Sequence, residues 1–99
     1  MINANMVGRR ESPIDPRAPF ADFANGLRAL RADSMKTYDE IAAEVNFCRS
    51  VLCTAASGRQ LPTWEVTSAY VRACGGSEPE WMGRWELEAR RRQRRRWRP

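Results

Sequence analysis

The stretch TYDEIAAEVNFCRSVLCTAASGRQLPTW, residues 37–64, carries the clearest structural pattern in the sequence. It opens with Thr37, and Glu40 stands three positions later, which is the spacing of a capping box at the start of a helix. The next apolar residues repeat at helical spacing and give this first helix one apolar face: Ile41, Ala42 and Val45. Asn46 then stands where the chain must turn, so we expect it to adopt the left-handed conformation that asparagine tolerates.

A second short helix is predicted directly after this turn, from Cys48 to about Ala56. Phe47 is expected to fill the space between the two helices, and Gly58 to end the second one. The inward positions of the second helix carry small or aliphatic side chains, namely Leu52, Ala55 and Ala56. Two short helices joined by a tight turn in this way are typical of a helix-turn-helix motif.

Further helices are predicted on both sides of the motif. Before it, a helix over residues 19–32 has an apolar stripe at spacing three and four, with Arg28 and Arg31 on its outer side; the stripe is Phe20, Phe23, Leu27 and Leu30. After it, a helix begins near Pro62 and Thr63 and ends at a glycine pair, and its candidate inward residues are Trp64, Val66, Tyr70, Val71 and Cys74.

A final helix is predicted from a second capping box, residues 77–80. Its apolar residues recur at spacing four and are Trp81, Trp85 and Ala89. This helical spacing favours a role of the tryptophans in the core or in a homodimer contact over stacking on single-stranded bases. Two acid-first pairs at spacing four, Glu86 with Arg90 and Glu88 with Arg92, support the helix. Repulsion among the arginines that follow is expected to fray it beyond Gln93.

The length and composition fit one small all-α domain. The 99 residues provide for one core, and we expect a flexible arm over residues 1–18, a helical domain over 19–89 and an arginine-rich tail over 90–99. No apolar run approaches the roughly 20 residues of a membrane span, and no apolar segment of a signal peptide stands at the start. These features predict a cytoplasmic protein without a membrane span.

The residue types present argue against an enzyme. The chain has three cysteines and no histidine, so neither a four-ligand zinc site nor a histidine-activated nucleophile is expected. The carboxylates fall in caps and on helix faces, and the sequence predicts no cofactor. Cys48 lies at a helix start beside Arg49, where a thiolate is favoured, although capping or packing is the more common role of such a cysteine.

The formal net charge of +5 comes from the tail. Seven arginines lie between residues 90 and 98, and subtracting their charge leaves −2 on the rest of the chain. The electrostatic attraction to nucleic acid is therefore expected mainly in this tail.

The motif has a family resemblance. The order of Ile41-Ala42, Val45, Asn46, Cys48, Leu52, Ser57-Gly58 and Pro62 resembles the lambda-repressor-like (Xre-type) helix-turn-helix family. The run LPTWEVTSAYVRACGG before a Trp-rich helix is similar to the form common in actinobacterial regulators. The resemblance covers roughly residues 20 to 89 and implies a compact bundle of about five helices that binds double-stranded DNA. The chain departs from the family at Asn46, where glycine is usual, and at Cys48, where serine or threonine is usual.

The resemblance also implies which residues meet DNA. The base-contacting positions on the second motif helix would be Arg49, Ser50, Cys53 and Thr54. An arginine there can donate two hydrogen bonds to one guanine. The positions suited to backbone phosphates would be Tyr38, Ser57, Arg59 and Thr63. The alternative is that Arg49 and Arg59 are solvated surface charges.

The tail sequence ARRRQRRRWRP resembles arginine-rich motifs that bind RNA or DNA backbones without sequence preference. The arginines concerned are Arg90, Arg91, Arg92, Arg94, Arg95, Arg96 and Arg98. A solubilising tail is the alternative. For the whole chain, the first hypothesis is a small transcriptional regulator, and the second is a non-enzymatic adaptor whose bundle binds a protein partner while the tail binds RNA, DNA or an anionic surface.

Overall fold

The computed structural model describes residues 11–96, and the side chains of residues 11–95. This part of the chain forms five α-helices and contains no β-strand, which confirms the predicted all-α fold of about five helices. The helices are α1 (Ala21–Ser34), α2 (Tyr38–Glu44), α3 (Arg49–Ala55), α4 (Trp64–Ala73) and α5 (Glu78–Arg96).

One core lies between the five helices. The side chains of Leu27, Ile41, Leu52, Tyr70 and Val71 are fully buried, so each helix from α1 to α4 contributes to it. Helix α5 closes the core through Trp81, whose ring meets that of Phe23 edge to face, with 5.3 Å between the ring centroids. The predicted apolar stripes of α1 and α4 therefore face inward, and Leu30 and Trp64 lie at the margin of the core.

The helix starts follow the predicted capping chemistry in part. The Thr37 hydroxyl accepts from the Glu40 amide at 3.1 Å, and the Thr37 amide donates to the Glu40 carboxylate at 2.8 Å, which confirms the first capping box. Before α5, the Ser77 hydroxyl accepts from the Glu80 amide at 3.4 Å. Among the hydrogen bonds of the described residues there is none back from Ser77 to the Glu80 carboxylate, so the second capping box is half formed.

The prediction of a left-handed residue at Asn46 is wrong. Among residues 11–96, Met35 is the one non-glycine residue with positive φ, at 61°, and it ends α1 rather than α2. Helix α2 ends at Glu44, and its C-cap residue Val45 has extended backbone, with a φ of −124° and a ψ of 175°. Because three residues separate α2 from the cap of α3, the chain turns through extended and bent backbone, and Phe47 still packs against the core as predicted.

The C-terminal part of α5 also differs from the prediction. The helix continues to Arg96, without the fraying predicted beyond Gln93. Glu88 is largely buried, and both of its carboxylate oxygens accept from Arg91 Nη1 at 3.0 Å, three positions on, rather than from Arg92. The predicted pair of Glu86 with Arg90 is not among the ion pairs of the described residues.

The chain before α1 contacts the bundle through Glu11. Its carboxylate accepts from the Tyr38 hydroxyl at 2.5 Å and from Arg31 Nη2 at 3.1 Å, and it lies 3.4 Å from Arg28 Nε. Arg28 and Arg31 are therefore half-buried beneath this segment, which corrects their predicted position on the outer side. Residues 1–10 of the predicted flexible arm lie outside the described residues.

Arg28 of α1 links this segment to the end of α3. Arg28 Nε donates to the Ala56 carbonyl at 2.8 Å, and its Nη1 donates to the Ser12 carbonyl at 2.7 Å. Gly58 ends the motif with a φ of +84°, where a Cβ would lie 2.9 Å from Cγ2 of Ile14. Glycine is required there for both its backbone conformation and the close approach of this segment.

The buried position of Leu52 gives a first prediction. Leu52→Ala should lower the free energy of unfolding by about 2–5 kcal/mol because it leaves a cavity in the core. Val51→Ala is the matched control on the same helix, since Val51 is exposed, and should cost under about 1 kcal/mol. Urea unfolding measures both. Equal losses would mean that the inward face of α3 is wrongly assigned.

The Glu11 cluster gives a second prediction. Glu11→Ala removes the acceptor of the Tyr38 hydroxyl and a partner of two guanidinium groups, so it should lower the free energy of unfolding by about 1–3 kcal/mol. Asp15→Ala, in the same segment, removes a carboxylate whose ion pair with Arg17 is exposed, and should cost under about 1 kcal/mol. Thermal and urea unfolding measure both variants. If the two have the same free energy of unfolding, the Glu11 contacts do not stabilise the domain.

Candidate nucleic-acid interface

The outer face of α3 carries the predicted base-contacting residues. Arg49, Ser50 and Thr54 are exposed, and Cys53 is half-buried. Burial raises the pKa of the Cys53 thiol, so this side chain meets its surroundings as a neutral group. These four residues lie on a helix of seven residues whose other face is buried through Leu52 and Ala55, so the structure brings them together on one surface.

Arg49 has an ion-pair partner on the preceding helix. Its Nε lies 3.4 Å from Oδ1 of Asp39, and the two side chains are 55% and 80% exposed. An ion pair this exposed is worth at most about 1 kcal/mol and is screened by salt. The guanidinium of Arg49 therefore remains available to an external acceptor, although Asp39 reduces the local positive potential.

A shallow groove of about 320 Å³ runs between α3 and the start of α4. Ser50, Val51 and Thr54 form one side of it. Leu61, Pro62 and Thr63 are among the residues on the other side. A mixed wall of hydroxyls and apolar groups suits contacts with base edges and thymine methyl groups.

Three of the four predicted phosphate contacts meet in the loop between α3 and α4. Arg59 is exposed, and no ion pair of the described residues includes it. Thr63 Oγ1 accepts from the Val66 amide at 3.3 Å as the cap of α4, and the hydroxyl donates no hydrogen bond to the described residues. Ser57 Oγ likewise accepts from the Arg59 amide at 3.3 Å.

Tyr38 differs from the other predicted phosphate contacts. Its ring is buried, and its hydroxyl donates to Glu11. Burial, and then the hydrogen bond to Glu11, raise the pKa of Tyr38 to about 12. The contribution of this proton to stability is full below pH 10 and is lost as pH rises through 12. Tyr38 thus serves the packing of α2 and is not carried into the proposed interface.

The arginine-rich end of α5 continues from a part of the helix that contacts the same loop. Trp85 Nε1 donates to the Pro62 carbonyl at 2.8 Å, and its ring centroid lies 6.1 Å from that of Trp64. From Trp85 the helix continues for eleven residues to Arg96, a length of about 16 Å. Five of the predicted tail arginines are exposed along it, Arg90, Arg91, Arg92, Arg94 and Arg95, whereas the Arg96 side chain and Arg98 lie outside the described residues.

Sequence reasoning missed the segment that lies next to this helix. Arg91 and Arg95 share a polar groove of about 220 Å³ with residues 16–22, at the start of α1. The Phe20 amide in turn donates to the Gly58 carbonyl at 3.0 Å. Contacts between residues so far apart along the chain carry no periodic signal, so nothing in the sequence could have predicted them.

Other kinds of site are not seen in the described part of the chain. Between residues 11 and 96, no three side chains of the His, Cys, Asp or Glu types are grouped so that they could hold a metal ion. Over the same range, none of the helices has the length and apolar character needed to cross a membrane.

No family model, no curated protein and no solved structure matches the chain.

Proposed function

We propose that this protein binds double-stranded DNA sequence-specifically, as a small transcriptional regulator of the lambda-repressor-like (Xre-type) kind. The observation that carries the proposal is the shared surface of α3 and the loop after it. Predicted base contacts lie on α3, and predicted phosphate contacts lie in the adjoining loop of residues 57–63. A helix with base-reading side chains, flanked by donors for the backbone, is how such motifs enter the major groove.

Within this proposal, α3 reads the bases. Arg49 is at the first position of the helix, and its exposed guanidinium can donate to O6 and N7 of one guanine. Ser50 and Thr54 are one turn apart on the wall of the groove, where a hydroxyl or a methyl group can meet a base edge.

The phosphate contacts fix the orientation of α3 and add affinity. Arg59 supplies a charge with no ion pair among the described residues, and the Ser57 and Thr63 hydroxyls supply neutral donors. The arginines of α5 add a term that does not depend on sequence, because each phosphate they neutralise releases a counterion. The chain outside the seven tail arginines has a net charge of −2, so these arginines supply most of the electrostatic attraction to DNA.

A second candidate function, the adaptor, is favoured by a groove elsewhere on the bundle. This groove, of about 440 Å³, lies between the α2–α3 turn and α4 and is lined by Phe47 and Trp64 together with Glu44, Glu65 and Arg72. Half-buried aromatic side chains with charged neighbours suit a protein partner. In that case the arginine tail would bind RNA, DNA or an anionic surface without sequence preference.

The experiment that separates the two functions is selection of bound fragments from a pool of random duplexes. A regulator should enrich one motif over successive rounds, with a final affinity well above that for the starting pool. An adaptor should bind duplexes of equal length with equal affinity. Recovery of the starting base composition after several rounds would refute the proposal.

The role of Arg49 gives a third prediction. Arg49→Ala should lower the preference for the selected duplex over random duplex by about 1–3 kcal/mol, because it removes a bidentate base contact. Arg72→Ala is the matched control, since Arg72 is an exposed arginine in the other groove. It removes the same charge and should leave the preference unchanged.

Fluorescence anisotropy titrations with the selected and the random duplex measure this preference for each variant, and circular dichroism verifies that each variant is folded. If Arg49→Ala weakens binding to both duplexes equally, Arg49 is a backbone contact. If the two variants behave alike, α3 is not the base-reading helix.

A further inference from the structure

We infer that one face of the arginine helix, carrying Arg92 and Arg95, forms a second phosphate-binding surface beside the start of α1. The opposite face, carrying Arg90 and Arg94, points into solvent. The inference rests on the proposed function, because it names how the tail meets the duplex that α3 reads. It replaces a flexible basic tail with a rigid surface on which the position of each arginine matters.

The helical geometry of α5 defines the two faces. Trp81, Trp85 and Glu88 face the bundle, as their burial and contacts show. A helix turns by about 100° per residue, so Arg92 and Arg95 continue this inward face. Arg90 and Arg94 fall on the side away from it, as does Leu87, which is 52% exposed.

Beyond Ala89, helix α4 no longer covers the inward face of α5. Helix α4 begins at Trp64, next to Trp85, so the later turns of α5 extend past the start of α4. What lies next to them is the segment of residues 16–22, which shares a groove with Arg91 and Arg95. This segment joins the motif through the bond from Phe20 to Gly58. The inward arginines therefore lie at the same end of the bundle as the loop of residues 57–63.

The charges of this surface favour an anion. Glu88 lies in the groove but is paired with Arg91, and Asp15 nearby is paired with Arg17. Asp22 is the remaining acid of the groove wall. The ion pairs of the described residues include neither Arg92 nor Arg95, although the two stand one turn apart and repel each other. A phosphate strand would relieve that repulsion and supply two acceptors.

The test compares two double variants of the full chain on one duplex. R92Q/R95Q changes the inward face and R90Q/R94Q the outward face, and each removes two charges while leaving Arg91 on Glu88. Glutamine has nearly the helix propensity of arginine, and circular dichroism should show equal helicity. The slope of log affinity against log salt should become shallower by about 1.8 for R92Q/R95Q, since each lost contact contributes about 0.9. For R90Q/R94Q the slope should stay within about 0.5 of the parent.

Equal changes in the two variants would overturn the inference, since a flexible tail uses all its arginines alike. No change in either would overturn it as well, because the helix would then not touch the duplex. Failure of the proposed function is distinguishable, because it would appear as equal affinity of the parent protein for selected and random duplexes. The comparison of the two faces can be made on any duplex that the parent binds.

Discussion

The position of α3 depends on contacts that come from outside it. A helix of seven residues is not stable by itself in water, and the α3 cap residue Cys48 makes no side-chain capping bond. The buried side chain of Leu52 fixes the inner face of α3 in the core. At the C-terminal end of α3, Arg28 Nε donates a hydrogen bond to the carbonyl of the cap residue Ala56. Any base-reading role of α3 therefore depends on α1 and on the segment before α1, neither of which carries a predicted base contact.

The aromatic contacts of α5 impose a similar constraint on the arginines. Trp81 packs on Phe23 and Trp85 donates to the Pro62 carbonyl, so the first half of α5 is fixed to both α1 and the loop after the motif. The second half is continuous helix and takes its direction from these contacts. The arginines from Arg90 to Arg95 thus form a directed extension of the bundle, at the same end as the loop of residues 57–63.

Local patterns in the sequence predicted the helices, most of the core and the outer face of α3. Helix periodicity and the Thr37 cap can be recognised because each depends only on residues that are close together along the chain. No local pattern predicts the Glu11 contacts, whose partners are up to 27 positions away, or the burial of Arg28 and Arg31. The Asn46 turn was mispredicted because residue preference suggested a left-handed corner, whereas the chain had enough residues to turn through extended Val45. The proposed DNA-binding role of α3 rests on the exposed side chains of its outer face and on the family resemblance of the motif.

The most direct measurement is the change in backbone amide NMR signals of the labelled protein on addition of the selected duplex. The proposed function predicts that the largest changes fall on residues 49–54 and 57–63, and that a scrambled duplex of equal length reduces those of residues 49–54 most. Changes confined to the groove around Phe47 and Trp64, or equal changes with both duplexes, would contradict the proposal that α3 reads a DNA sequence.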